Sequence, residues 1–328
     1  MNPVFSTWQR ELAEAFSSVD ALCRHLQIDP QQLPLLHDYK QFPLRVPRSF
    51  VDCMGKGDIN DPLLRQVLPL AAELEPQDGY GPDPVGDLAA VTETGVLHKY
   101  HGRILLIVTG GCAVHCRYCF RRDFPYGELQ LSSGRVDEAL AYIARHPAIS
   151  EVILSGGDPL LMSDAKLRRL LDRLRGLRQV RRIRIHTRLP VVLPARVTAG
   201  LLQALSHHEI RPLVVLHANH AHELSEAVAD ACRRFRQHDI SLLNQSVLLR
   251  GVNDDAAALM ALSERLFAIG VLPYYLHSLD HAAGTGHFEV SDALGKQLIA
   301  YMQNHLPGYL VPRFVREQVG ADHKLPLA

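Results

Sequence analysis

The chain has 328 residues, 35 Lys+Arg against 35 Asp+Glu, 6 cysteines and 47% hydrophobic residues, which allows about two domains of ~150 residues, or one α/β barrel with an appendage. Zero net charge argues against a general nucleic-acid or anionic-membrane binder, and no apolar run reaches the ~18 residues that span a bilayer. Met1–Leu12 is polar and mixed in charge, without a secretory apolar core, so the expectation is a cytoplasmic protein that works on a small molecule.

Residues 1–95 read as a helical extension. Short helical patterns at Trp8–Phe16, Asp20–Leu26 and Pro62–Leu68 alternate with Pro-rich connectors, and a linker closes the region at about Asp78–Asp87. The rhythm then changes. Apolar, β-branched runs at Ile104–Thr109, Val152–Ser155, Ile183–His186, Leu213–His217, Leu242–Leu248 and Val271–Leu276 predict strands. Amphipathic segments at Val136–Arg145, Ala165–Arg175, Arg196–Leu205, Leu224–Gln237, Asp254–Ile269 and Ser291–Asn304 predict helices, with Ser163 as an N-cap. The strand spacing, about thirty residues after the second, is that of a βα unit. Six units make a parallel sheet over residues 96–290, either an incomplete barrel or a doubly wound sheet. Residues 291–328 form a C-terminal segment in which Leu310–Val315 reads as a strand leading inward.

In both architectures chemistry sits beyond the C-terminal strand ends. Two loops fall there. Cys112, Cys116 and Cys119 follow the first strand within eight residues, and Ser155-Gly156-Gly157-Asp158-Pro159 follows the second. Cys23, Cys53 and Cys232 are scattered and read as interior residues. Zinc prefers four protein ligands, and with His115 as the fourth one tight loop would have to wrap the whole ion. Three thiolates suit a [4Fe–4S] cluster with one open iron. Tyr118 and Phe120 would wall it, and Arg117, Arg121 and Arg122 would offset its charge.

The segments HKYHGRILLIVTGGCAVHCRYCFRR, ILSGGDPL, RIHTRLPVVLPARVT, NQSVLLRGVND and LDHAAGTGHF resemble the lysine 2,3-aminomutase family of radical S-adenosylmethionine enzymes. Within it they are most similar to the branch that forms (R)-β-lysine for modification of translation elongation factor P. The resemblance runs from about Asp83 to Lys324 and implies a partial (βα)6 TIM-like barrel. It also implies three cofactors: a [4Fe–4S] cluster on Cys112, Cys116 and Cys119, S-adenosylmethionine, and pyridoxal 5′-phosphate. By the same resemblance Gly156, Gly157, Asp158, Arg188 and Gln245 lie at S-adenosylmethionine, and two glycines would let backbone groups approach a ligand. Lys99, Tyr100 and Arg103 lie at pyridoxal phosphate, the basic pair at its phosphate, and Lys324 holds that cofactor covalently. Arg121 takes the carboxylate of the substrate lysine, while Asp280 and Glu317 take its side-chain ammonium.

Three departures stand out. Glu317 and Leu325 replace a family aspartate and threonine, and no cysteine-bearing, zinc-binding tail follows Lys324, so no structural zinc is expected. His217 and Asn219 are open between structural and functional roles. The implied partners are an electron donor such as flavodoxin or ferredoxin, a lysyl-transferring ligase and elongation factor P, with neither nucleic acid nor membrane. The alternatives are a free L-lysine or glutamate 2,3-aminomutase of small-molecule metabolism, a zinc-holding scaffold, and an RNA-modifying enzyme.

Overall fold

Apolar, β-branched runs of five to seven residues build most of a ten-stranded sheet in strict chain order. Its strands are β1 (Val91–Glu93), β2 (Val96–Tyr100), β3 (Arg103–Thr109), β4 (Glu151–Gly156), β5 (Arg182–Thr187), β6 (Leu213–His217), β7 (Leu242–Val247), β8 (Leu272–His277), β9 (Arg313–Arg316) and β10 (Leu325–Pro326). The sheet is seen in a computed structural model that describes residues 7–328 apart from His37, Tyr39, Ser133, His208 and Glu209. Strands β3 to β9 are all parallel. A hairpin, β1–β2, adds antiparallel strands at one edge, and β10 folds back on β9 at the other.

Six crossover helices join the parallel strands: Val136–Arg145, Asp164–Arg175, Ala199–Ser206, Glu226–Gln237, Ala256–Ala268 and Asp292–His305. Side-chain oxygens set most of their starts. Ser163, Thr198, Ser225, Asp255 and Ser291 each accept a hydrogen bond from the first-turn backbone. The Thr198 cap moves one boundary: the helix expected from Arg196 starts at Ala199, and Pro194–Arg196 form a 3-10 turn before it.

The predicted strands are β3 to β8, and the predicted inward-leading strand is β9. Inner residues of successive strands (Ile153, His186, His217, Gln245 and Tyr275) line one cavity. Only a sheet curved around a lumen allows this, and β1 and β10 remain its unpaired ends. The fold is thus an open α/β barrel of the partial TIM-like kind.

The extension and its linker behave differently from the sequence reading. Trp8, Leu22, Phe50 and Leu63 belong to the same buried cluster as Leu154, Ile185 and Leu216, so the extension shares the barrel's core. Strand β1 lies inside it, too short for a period-2 pattern to show. The Pro-rich stretch crosses the strand ends, where Gly81 N donates to His281 O (2.9 Å) and Ala283 N to Gly81 O (3.0 Å). The chain end is also docked: Leu327 packs near Phe314 and its N–H donates to the Phe314 carbonyl (2.8 Å), which accounts for an apolar tail. Among the described residues no helix is long and apolar enough to cross a membrane.

Candidate active site

The cavity inside the strand ends has two chemically distinct walls. Strand β3 delivers Cys112, Cys116 and Cys119 to the first wall, and all three line the cavity. Two glycines after β4 brace this loop. Gly156 has φ +112°, and a Cβ on Gly157 would lie 2.2 Å from the Gly111 carbonyl oxygen. The close approach lets Gly157 N donate to Thr109 O (2.7 Å) and Asp158 N to Gly111 O (2.8 Å). The carboxylate of Asp158 accepts from Leu160 N, Thr187 Oγ1, Arg188 N and Leu189 N at 2.7–3.0 Å. Offering groups to a cofactor was the expected use of this segment. Its donors and its carboxylate also clamp the cysteine loop to β5, and Gly156, Gly157 and Asp158 all line the cavity.

The thiols themselves fit an iron–sulfur cluster. Burial and the neighbouring thiols push Cys112 well above its ordinary value, and burial with Cys116 beside it pushes Cys119 up to about 11. Crowded dry thiols resist ionising until a cationic metal body holds them as thiolates. Among the described residues no group of three or more His, Cys, Asp or Glu converges as a single-ion site. His115, the fourth ligand a zinc site would need, turns away: its Nδ1 donates to the Pro43 carbonyl (2.8 Å) and its ring stacks on Phe42.

The arginines around the loop are held by the extension. Arg117 forms a buried two-point pair with Glu73 (2.8 and 2.5 Å), and Arg122 adds a third bond to Glu73 (2.9 Å). One carboxylate balances only one of these two cations, so the trio stays positive beside the cysteine loop. Arg188, expected at S-adenosylmethionine, lines the cavity and is also bonded to protein groups. Its NH2 donates to Gln66 Oε1 (2.7 Å) and Glu223 Oε2 (3.0 Å), and its NH1 donates to Tyr118 OH (2.5 Å) and Cys116 Sγ (2.7 Å). Asn219 completes this network by donating to Gln66 and Tyr118 (2.9 and 2.7 Å), so its role is structural. His217 and Gln245 face the cavity from β6 and β7, paired in register, and His217 Nε2 meets Tyr118 OH at 2.9 Å.

The second wall is a chain of alternating charges. Lys324 pairs with Glu317, Glu317 with Lys99 (3.1 Å), Lys99 with Asp87 (2.5 Å), and Asp87 with Arg121 (2.6 Å). Lys99 also donates to the Val85 carbonyl (2.7 Å). Its three N–H donors therefore have acceptors, two of them anions, and Lys99 lines the cavity together with Lys324. Arg103 stacks over the Tyr100 ring (4.6 Å), and both line the cavity beside Lys324. Arg121 donates a further bond to Ser155 Oγ (3.2 Å).

Electrostatics separates the acids of this wall. Burial opposes ionisation of Glu317, but the ammonium groups of Lys324 and Lys99 outweigh it and hold the carboxyl well below its usual range. Arg121 and Lys99 outweigh burial at Asp87 in the same way. Asp280 has no hydrogen bond or ion pair to its carboxylate among the described residues, and burial pushes it up to about 7 despite Lys324 nearby. It is the open acceptor of the wall. Burial among cations keeps two further cavity residues, His186 and His277, neutral.

Sequence reasoning missed Asp87, Gln66, Glu73, Glu223, His186 and His277. Asp87 closes the Pro-rich stretch read as a linker, and nothing in the local pattern marks it or the extension's Gln66 and Glu73 as site residues.

Residues 106–262 match the Radical SAM superfamily profile, and the open barrel with a three-thiol loop after its first parallel strand is the arrangement that class requires. Over 327 residues the chain is 46% identical to the L-lysine 2,3-aminomutase of Escherichia coli (strain K12), covering 99% of this chain and 95% of that one. It is 40% identical to the L-lysine 2,3-aminomutase of Buchnera aphidicola (97% and 94% covered) and 32% identical to that of Clostridium subterminale (98% and 78%). The chain belongs to the lysine 2,3-aminomutase family, and it is an enzyme of the isomerase class. The cofactors of that family are a [4Fe–4S] cluster, S-adenosylmethionine and pyridoxal phosphate.

Proposed function

We propose that this enzyme converts (S)-α-lysine to (R)-β-lysine, with pyridoxal phosphate carried on Lys324, and that the product is used in the cytoplasm to modify elongation factor P. A lysyl-transferring ligase would consume the product, and a flavodoxin or ferredoxin would supply the electron. The observation that carries the reaction is one cavity with three thiols on one wall and, on the other, Lys324, Arg121 and an unpaired Asp280. The elongation-factor destination rests on the sequence resemblance.

Bound between these walls, the cluster and S-adenosylmethionine supply a carbon-centred radical, and pyridoxal phosphate supplies the π system through which an amino group moves between adjacent carbons. The protein's part is placement. Arg121 presents a planar fork suited to a carboxylate, held in aim by Asp87 and Ser155. Asp280 offers its unpaired carboxylate to the side-chain ammonium. Glu317 pairs with Lys324, and Arg103 and Tyr100 flank that lysine. His217 and Gln245 face the space beside the thiols where S-adenosylmethionine would lie. Ile104, Leu105, Ile153, Val247 and Leu279 line the cavity between the walls and keep water from a reactive carbon. Two acids at the substrate end, Asp280 and Glu317, favour lysine over glutamate.

The test is anaerobic reconstitution with iron and sulfide, then dithionite, S-adenosylmethionine, pyridoxal phosphate and L-lysine. (R)-β-lysine is the expected product, identified by chiral chromatography. Its absence with all cofactors loaded would overturn the reaction. Adding the ligase and elongation factor P should then transfer the product to the factor. Failure there, with β-lysine formed, would favour an enzyme of free-lysine metabolism.

A further inference from the structure

Arg188 is 7% exposed and Glu223, its counter-ion, is fully buried, at the junction of three parts of the molecule. Gln66 comes from the N-terminal extension, Cys116 and Tyr118 from the cysteine loop, and Glu223 from the turn after β6. The guanidinium also stacks over Phe50 of the extension (5.2 Å). Of its nitrogens only Nε, itself buried, has no partner. The guanidinium so held lines the cavity beside the thiols. Its NH1 points at a cysteine sulfur from 2.7 Å.

We infer that Arg188 is a positioning residue of the iron–sulfur centre: it donates an N–H···S hydrogen bond to the Cys116 thiolate and thereby raises the reduction potential of the cluster. The inference rests on the reading that Cys112, Cys116 and Cys119 ligate a [4Fe–4S] cluster. Adding an electron makes the cluster and its thiolates more negative. A hydrogen bond at one sulfur stabilises that reduced state more than the oxidised one, and hydrogen bonds to the sulfurs are among the features that set such potentials. Arg117 and Arg122 do not serve in the same way, because they donate to Glu73 and to backbone carbonyls and not to a sulfur. The planar fork explains the choice of arginine: one edge is fixed by Glu223 and Gln66 while the other reaches the sulfur. The extension thereby becomes part of the redox centre through Gln66.

The test uses full-length protein with the cluster reconstituted and no S-adenosylmethionine added. In native enzyme labelled with [15N]arginine, pulsed EPR of the reduced cluster should show a 15N coupling, and the coupling should vanish in Arg188→Lys. EPR-monitored redox titration should give the order native, then Arg188→Lys, then Arg188→Met in falling midpoint potential. At a fixed potential the reduced-to-oxidised ratio in Arg188→Met should drop about tenfold, or 59 mV for a one-electron couple. Removing Arg188 leaves Glu223 buried without a counter-ion, so Arg188→Met is liable to misfold; the labelled native enzyme tests the bond regardless. A loaded native cluster without the coupling would overturn the inference. So would folded variants with unchanged potential whose only defect is weaker S-adenosylmethionine binding. Native protein that binds no iron and sulfide would overturn the cluster reading itself, a distinct result.

Discussion

The two walls of the cavity solve the problem of buried polarity in opposite ways. At the thiol wall nearly every polar group is tied to a protein partner: Asp158 to four donors, Glu73 to two arginines, Arg188 to four acceptors. What remains open is sulfur. At the charged wall the groups pair with one another along Lys324, Glu317, Lys99, Asp87 and Arg121, and among the acids of this wall that the structure describes Asp280 remains open. A buried charge that loses its partner is costly, so each wall satisfies its own charges first and exposes only the chemistry a ligand needs. The thiol wall is rigid scaffolding around soft ligands. The charged wall is a set of pairs that a zwitterion can enter.

Substitutions can break this contrast at graded cost. Cys112→Ser should remove cluster loading and all activity, read as iron content and β-lysine formed, while the pyridoxal phosphate absorption band on Lys324 persists. Lys324→Ala should do the reverse, abolishing that band and the activity while iron content stays native. A shared loss of both signals in either variant would show that the walls are not separable. Asp87→Ala strands Lys99 and Arg121 together, and should cost about 3–5 kcal/mol of stability by denaturant melt, as for other broken buried pairs, with weaker lysine binding besides.

Asp280 gives a pH signature. Its pKa rises from an ordinary 3.8 to about 7 on folding, so between those values the folded chain binds more protons than the unfolded one. The stability of the ligand-free protein should therefore fall as pH rises through that window. Lysine affinity should move the other way, improving as Asp280 ionises near pH 7. Asp280→Asn should flatten that profile and raise KM for lysine roughly 10–100-fold, as expected for losing a charged hydrogen bond of about 1.5–3 kcal/mol. The smallest effect belongs to His115→Ala. It loses one hydrogen bond to Pro43, about 1 kcal/mol, and should leave iron loading unchanged; a drop in loading would restore the histidine as a ligand.

Much of the frame was legible because its signals are local. The apolar runs marked β3 to β8, the Ser163 cap marked one helix start, and the cysteine spacing marked the loop after β3. An apolar tail after Lys324 hinted that the chain end docks, which Leu327 does against Phe314. What stayed hidden was partnership. The charges of Lys99, Arg117 and Arg188 are visible in sequence, and their acceptors are not.

By itself, then, the sequence determined the βα order, the thiol loop and the identity of the charged residues. Tertiary structure decided which charge meets which. Lys99 and Glu317 stand 218 positions apart, Arg188 and Gln66 stand 122 apart, and Arg121 and Asp87 stand 34 apart. Backbone propensity and hydrophobic period act over a few residues, whereas these pairs exist only once the sheet curves and brings both its edges and the extension to one set of strand ends.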